Sequence, residues 1–210
     1  MYPATDVVTS EAEIRAVIDG IHSAQTTKII DHIDPLCEAW IAHSTFLTMA
    51  TYGADGRVDV SPKGDPAGFV KVLDRKTLAI PDRPGNHRYD SFINILKTGR
   101  IGLVFLVPKR NEVVRVNGLA RVVRDLSIRE PLAVKGKVPD FAILVHVEEA
   151  FYHCGKAIIR SALWRPEKAG PVDALPTYGE ALMAQSQIDK SLEELEERLQ
   201  HNDTNRLYDE

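Results

Sequence analysis

The sequence predicts a small antiparallel β-barrel decorated by helices, and three observations carry that prediction. Segments rich in β-branched and aromatic residues outnumber helical ones through the middle of the chain. The strongest local pattern is a hairpin, with residues 45–52 and the alternating Arg57-Val58-Asp59-Val60 flanking Gly53-Ala54-Asp55-Gly56. The later β segments are separated mainly by turns, with a single helical pattern among them, and closure of such strands into a barrel removes exposed edges.

Taken in order, Ser10 followed by Glu13 forms a capping-box pattern, with Ile14, Val17 and Ile18 on one face of a short first helix. Asp34-Pro35 places an N-cap before a proline at the first helical position, and Leu36, Ala39, Trp40 and Ala42 predict a second helix ending near His43. Both helices are expected to cover the sheet. After the hairpin, residues 70–81, 100–107, 113–123 and 141–147 read as further β segments. Asn117-Gly118 fits either a tight hairpin turn or a glycine bulge in one long strand; the flanks are too short for a separate pair, which favours the bulge and a close backbone approach. Residues 127–139 form an excursion between strands, and 165–176 a Pro/Gly-bearing linker. Residues 180–199 carry good helix formers, with Leu182, Ile188, Leu192, Leu195 and Leu199 as a partial apolar stripe, and predict one amphipathic helix. The expected organisation is N-terminal helices over 1–43, a barrel over 44–164, and a linker and helix over 165–210.

One stretch stands apart: Ile80-Pro81-Asp82-Arg83-Pro84-Gly85-Asn86-His87-Arg88-Tyr89-Asp90-Ser91. Pro84 fixes its own φ and extends Arg83, and Gly85 permits a sharp turn. Asn86 is an N-cap type, and Tyr89, Phe92, Ile93 and Leu96 have helical spacing. The first amides of such a helix lack intrahelical partners and its dipole favours negative charge, so Arg83 and Arg88 beside them would complete an anion cradle. A capped helix with two solvated arginines fits the local pattern equally well.

Composition narrows the classes. With 210 residues, 44% hydrophobic and 27% charged, the chain suits one elaborated globular domain. A net charge of −4 gives no footprint for nucleic acid, though it permits a local basic pocket. Residues 1–21 carry no apolar signal core and the longest apolar run, 101–108, is too short to span a bilayer, so a cytoplasmic protein is expected. The two cysteines, Cys37 and Cys154, have no metal-ligand or redox-motif spacing and are expected to be free thiols. No nucleophile elbow, phosphate-binding Walker loop or zinc-binding H-E-x-x-H occurs.

Ser61-Pro62-Lys63-Gly64-Asp65, the stretch at 80–91, Gly102-Leu103-Val104-Phe105, Arg115-Val116-Asn117-Gly118 and Phe151-Tyr152-His153-Cys154-Gly155-Lys156-Ala157 occur together and in order. In this set the chain resembles the pyridoxamine 5′-phosphate oxidase-like split-barrel flavoproteins, over about 44–164. The resemblance implies a six-stranded antiparallel split barrel, a homodimer, and one FMN in each of two grooves at the subunit interface. It also resolves the tie at the cradle in favour of a phosphate ligand. By position in the motif, Arg83, Asn86 and Arg88 would meet the FMN phosphate, with Lys63 reaching it or the ribityl chain. Pro81 and Asp82 would border the same site, and the backbone of Val60, Ser61 and Pro62 would hold the ring.

For Lys156 two readings stand level: a cation that with Arg160 leans into the partner's groove or binds an anionic substrate, or part of a structural strand-to-helix junction. For Cys154 a buried structural thiol is favoured over a nucleophile activated beside His153. The Arg-Leu-x-Pro signature that holds the vitamin phosphate in authentic pyridoxamine-phosphate oxidases is missing. Trp164 is followed by Arg165-Pro166, and Arg206-Leu207 continues as Tyr208-Asp209. The resemblance therefore implies an FMN-dependent oxidoreductase of unspecified small organic substrate. The alternative is a flavin-, haem- or deazaflavin-binding protein without turnover. A flavin supplies the electron chemistry itself, so no acid–base dyad is required.

Overall fold

The computed structural model describes residues 2–18 and 20–209. The predicted hairpin is present: β1 (Phe46–Tyr52) pairs antiparallel with β2 (Val58–Gly64), and Gly53 N–H closes the turn on the Arg57 carbonyl at 2.9 Å. The segment at 70–81 resolves into two strands, β3 (Lys71–Asp74) and β4 (Thr77–Pro81). They are followed by β5 (Arg100–Leu106), β6 (Val113–Val123) and β7 (Ala142–His153). The helices are α1 (Glu11–Val17), α2 (Ser23–Thr27), α3 (Pro35–His43), α4 (Asp90–Thr98), α5 (Leu126–Arg129), α6 (Lys156–Ser161), α7 (Tyr178–Gln185) and α8 (Leu192–Asn205).

The strands form one antiparallel sheet of seven in the order β2-β1-β5-β6-β7-β4-β3, one strand more than expected because residues 70–81 fold back on themselves. β5 joins β6 through residues 114–119, whereas β4 joins β7 through residues 142–146. The two wings thus attach at opposite ends of the central β6–β7 ladder. Leu47 and Met49 of one wing and Leu78 and Ile80 of the other are fully buried in the same core with Phe105, Val114, Val145 and Val147. The sheet therefore curls around one interior, while β2 and β3 remain unjoined edges. This is the split of the barrel.

The long-strand reading of Asn117-Gly118 holds, and the extra residue sits on the facing strand. Asn117 pairs with Glu149 and Gly118 with Val147, so Glu148 of β7 is unpaired in the register. Burial in β7 changes phase there: Ile143, Val145 and Val147 alternate inward, the next buried residue is Ala150, and Glu148 and Glu149 are both exposed. Gly118 lacks a side chain because one would collide with the main chain of His146 and Glu148.

Three expectations about helices are corrected. α3 begins as predicted, with the Asp34 carboxylate accepting from Cys37 N–H at 2.8 Å, but Leu36, Ala39 and Ala42 are exposed. Its buried face is Cys37, Trp40 and Ile41, continued by Ile33, and Trp40 Nε1 donates to the Phe105 carbonyl at 3.2 Å. α1 is capped by Ser10 but buries no residue, so it does not cover the sheet. The single helix expected over 180–199 is two, because Thr177 with Glu180 and Ser191 with Glu194 each make a complete capping box and start a helix of their own. No helix among the described residues is long and apolar enough to cross a membrane.

Replacing Gly118 by Ala is expected to destabilise the fold by about 1–3 kcal/mol or more through overpacking, whereas Gly170→Ala, in open space, changes stability by less than about 0.5 kcal/mol. Urea unfolding of the two variants checks this; equal midpoints would contradict the bulge contact.

Candidate functional site

At the split, β2 faces the segment that leaves β4, and the space between them is a cavity of about 290 Å³. Its walls are residues 59–63 of β2, residues 82–83 and 85–89 of the connecting loop, and the first turn of α4. β2 is an edge strand, which explains why Pro62 is tolerated there and leaves main-chain groups on its outer side without a ladder partner.

The loop is not the helix start that its sequence predicts. α4 begins at Asp90, and Asn86 turns its side-chain oxygen to Arg88 N–H at 3.0 Å instead of capping a helix. His87 and Tyr89 adopt left-handed conformations, φ 58° and 53°, which the tight return to the helix requires and which cost a non-glycine residue about 1–3 kcal/mol each. The cost at Tyr89 is offset in part by its ring contact with Phe92, centroids 5.3 Å apart; Phe92 in turn meets Phe141 edge-on at 5.8 Å. The delayed start rotates the helix: Ser91, Phe92 and Ile95 are buried, whereas Ile93 and Leu96 are exposed. Its N-cap, Tyr89, makes no side-chain capping bond. The positive end of a nine-residue helix therefore faces the cavity without a capping side chain.

Of the residues expected to bind a cofactor, Val60, Ser61, Pro62, Lys63, Asp82, Arg83, Asn86 and Arg88 all line this cavity. Pro81 is buried at the end of β4, opposite Ala142, and does not line it. Lys156 is exposed in the first turn of α6 and is not among the lining residues. Cys154 is exposed, contrary to the buried thiol expected, because the chain leaves β7 one residue earlier; Cys37 is the buried cysteine.

The three cations of the cavity are held differently. Arg83 Nε donates to Asp65 Oδ2 at 2.5 Å, its Nη2 to the Leu132 carbonyl at 2.8 Å and its Nη1 to the Asp82 carbonyl at 3.3 Å. The Asp65 side chain is 1% exposed and that of Arg83 17%. Arg88 pairs through Nε with Asp90 at 2.6 Å on the surface, an interaction that pushes the guanidinium pKa further up. Lys63 makes no ion pair among the described residues. Ser91 donates to Asp59 Oδ2 at 2.9 Å, which ties the helix start to β2.

Sequence reasoning missed several residues. Asp59 lies beside the predicted β2 set, while His87 and Tyr89 enter only because the loop is irregular. Asp65 closes the motif that begins at Ser61, but nothing in that motif gives it a role. Tyr208, 143 residues from Asp65, donates to Asp65 Oδ1 at 2.6 Å, and no local pattern announces it. Among the described residues no group of acidic, histidine or cysteine side chains could hold a metal ion.

A curled antiparallel sheet, open between an edge strand and a helix start without a capping side chain, defines a split-barrel protein with a cavity in its seam that gathers three cations and three carboxylates. Residues 33–154 match the family model described as pyridoxamine 5′-phosphate oxidase, and the chain belongs to that family. Among solved structures it is similar to HupZ of Group A Streptococcus, at 22% identity over 57% of this chain and 93% of that one, with a TM-score of 0.48. It is similar too to a putative pyridoxamine 5′-phosphate oxidase from Lactobacillus delbrueckii, at 24% identity over 58% of this chain and 95% of that one, with a TM-score of 0.46. An FMN-binding protein from Syntrophomonas wolfei aligns at 15% identity over 55% of this chain and 82% of that one, with a TM-score of 0.41. No curated protein matches.

The two thiols should react very differently. Burial, followed by the hydrogen bond with Asp34, pushes the Cys37 thiol up to about 12, so it stays protonated at pH 8, whereas Cys154 is open to reagent. Iodoacetamide at pH 8 is expected to modify Cys154 alone in the native protein and both residues in urea, as read by peptide mass spectrometry.

Proposed function

We propose that the protein binds FMN in the seam and acts as an FMN-dependent oxidoreductase on a small organic molecule. The observation that carries this reading is the convergence of Lys63, Arg83, Arg88 and the uncapped start of α4 on one cavity in a chain of this family. These groups fit a phosphate: the helix end offers amide donors, Arg83 lines the cavity with N–H groups outside its internal bonds, and Lys63 has no competing ion pair among the described residues. Arg88 exchanges its exposed bond to Asp90 for a phosphate oxygen at little cost, since water screens such surface pairs.

The flavin supplies two-electron chemistry when bound; the chain binds it, orients it and limits access of water and other reactants. A cavity of about 290 Å³ sits at the lower end of the size of small-molecule sites, which suits a phosphate and ribityl chain better than a whole cofactor. The ring is proposed to lie along the unpaired edge of β2 at Val60, Ser61 and Pro62, where main-chain donors and acceptors face outward. Val58 and Val60 stand exposed on this strand at 71% and 60%, opposite exposed Tyr52, and make an apolar strip. In this reading a second copy of the chain covers the strip and the ring, and brings Lys156 towards the groove.

The purified protein is expected to show flavin absorption and to release FMN on denaturation, identified by mass spectrometry; a colourless protein that takes up no added FMN would overturn the assignment. Lys63→Ala and Arg88→Ala should each weaken FMN binding about tenfold, the worth of one charge-assisted bond, with thermal stability unchanged. Catalysis requires that a physiological donor such as NADPH, or an organic substrate, reduce the bound flavin and that an acceptor reoxidise it over many turnovers. A flavin that no such donor reduces would leave binding without enzyme activity.

The covering copy is tested separately. Val60→Glu is expected to shift the protein from dimer to monomer in light scattering and to release flavin; a monomeric flavin-loaded wild type would reject the shared site.

A further inference from the structure

Tyr208 lies beside Arg83 of the cavity wall and contacts Asp65, the residue that follows β2, 143 positions away. Tyr208 donates its hydroxyl to Asp65 Oδ1 at 2.6 Å, its ring lies 5.9 Å from the Arg83 guanidinium and 5.2 Å from Lys135 Nζ, and Asp209 pairs with Lys137. Together with 82–84, 89 and 137–140, Tyr208 and Asp209 enclose a second space of about 440 Å³ that shares Asp82, Arg83 and Tyr89 with the first.

Asp65 explains what the tail does there. A carboxylate with a 1% exposed side chain needs donors on both oxygens, because a buried acceptor without one is costly. Arg83 serves Oδ2 and Tyr208 serves Oδ1. Its main chain is fixed too, with Asp65 N–H on the Thr45 carbonyl at 3.1 Å. Arg83 is then held by Asp65, Leu132 and Asp82 through three of its five N–H groups, and the other two make no hydrogen bond among the described residues, which leaves them for a ligand. The orientation of those two is only as firm as Asp65.

We propose that Tyr208 is a positioning residue of the cradle, which fixes Asp65 and through it aims the remaining N–H groups of Arg83 at the ligand phosphate. This inference rests on the FMN reading above. The hydrogen bond to Asp65 also raises the Tyr208 pKa, with burial adding to it and Arg83 opposing it, so the phenol remains a donor at neutral pH. The contribution is present below the ordinary tyrosine pKa and is lost as pH rises through the raised one. The other charges facing the tail are Lys135, Lys137, Asp82 and Asp140. Lys137 is occupied by Asp209, which anchors the residue after Tyr208 and keeps the phenol over the site.

The test compares FMN with riboflavin, which lacks the phosphate, using flavin fluorescence titration of the 210-residue chain. Tyr208→Phe keeps the ring and removes the donor. It should weaken FMN about fivefold, the order of one hydrogen bond, and leave riboflavin unchanged. In an Arg83→Lys background the same substitution should add less than about a twofold change, because both act through one group. An unchanged ratio of FMN to riboflavin affinity, a parallel fall of both, or full additivity with Arg83→Lys would each overturn the positioning role while leaving FMN binding intact. A wild type that does not prefer FMN over riboflavin would overturn the phosphate site itself, and the inference with it.

Discussion

The β6–β7 ladder is the constraint on which the rest of the structure depends. It runs from Val113 opposite His153 to Val123 opposite Ala142, and every other strand reaches the sheet through one of its two members. β5, β1 and β2 hang from one side, β4 and β3 from the other, and the attachments are offset towards opposite ends. A flat ladder would carry the wings apart. The extra residue Glu148, accommodated by the missing side chain at Gly118, increases the local twist where the two attachments meet. The wings then wrap one core, and β2 comes to face the end of β4 without bonding to it.

That geometry makes the site a consequence of incomplete closure. Had β2 and β4 paired, the main-chain groups of β2 would be taken up by the ladder and no cavity would remain. Because they do not pair, the chain must cross from Pro81 to α4 over the open seam, and it does so with two left-handed residues. The strain is held by packing on both sides. Phe92 anchors the helix start in the core, and Ser91 ties it to Asp59 of β2.

Much of this was legible in the sequence because it is local. The hairpin at Gly53-Ala54-Asp55-Gly56, the Asp34 cap and the single long strand through Gly118 each follow from neighbouring residues, and the structure reproduces them. The errors have physical causes of two kinds. Asn86 has the chemistry of a cap, but its side chain accepts from Arg88 N–H and the helix begins later; of the predicted stripe Phe92 is buried, while Ile95 takes the inward place expected of Ile93 and Leu96. At 180–199 good helix formers concealed a break, since Ser191 with Glu194 starts a second helix more favourably than the first continues. The residues brought to the cavity by tertiary contact alone, Tyr208 above all, leave no trace in local pattern. Asp65 shows the intermediate case, a charge visible in its motif whose burial and two donors appear only in three dimensions.

The cavity is nearly neutral as it stands, with Lys63, Arg83 and Arg88 set against Asp59, Asp82 and Asp90. A basic pocket of three unpaired cations would be costly without a ligand, and here the two arginines are held with different firmness. The Arg83–Asp65 pair is buried, so separating it would strand a charge at a cost of several kcal/mol, and it stays closed. The Arg88–Asp90 pair is open to water and exchanges readily. One guanidinium is thus fixed and the other is free to exchange its partner. On the proposed reading this division lets the site bind phosphate without ordering every donor at once: the fixed Arg83 and the helix end define the position, and Lys63 and Arg88 close on the ligand from the solvent side.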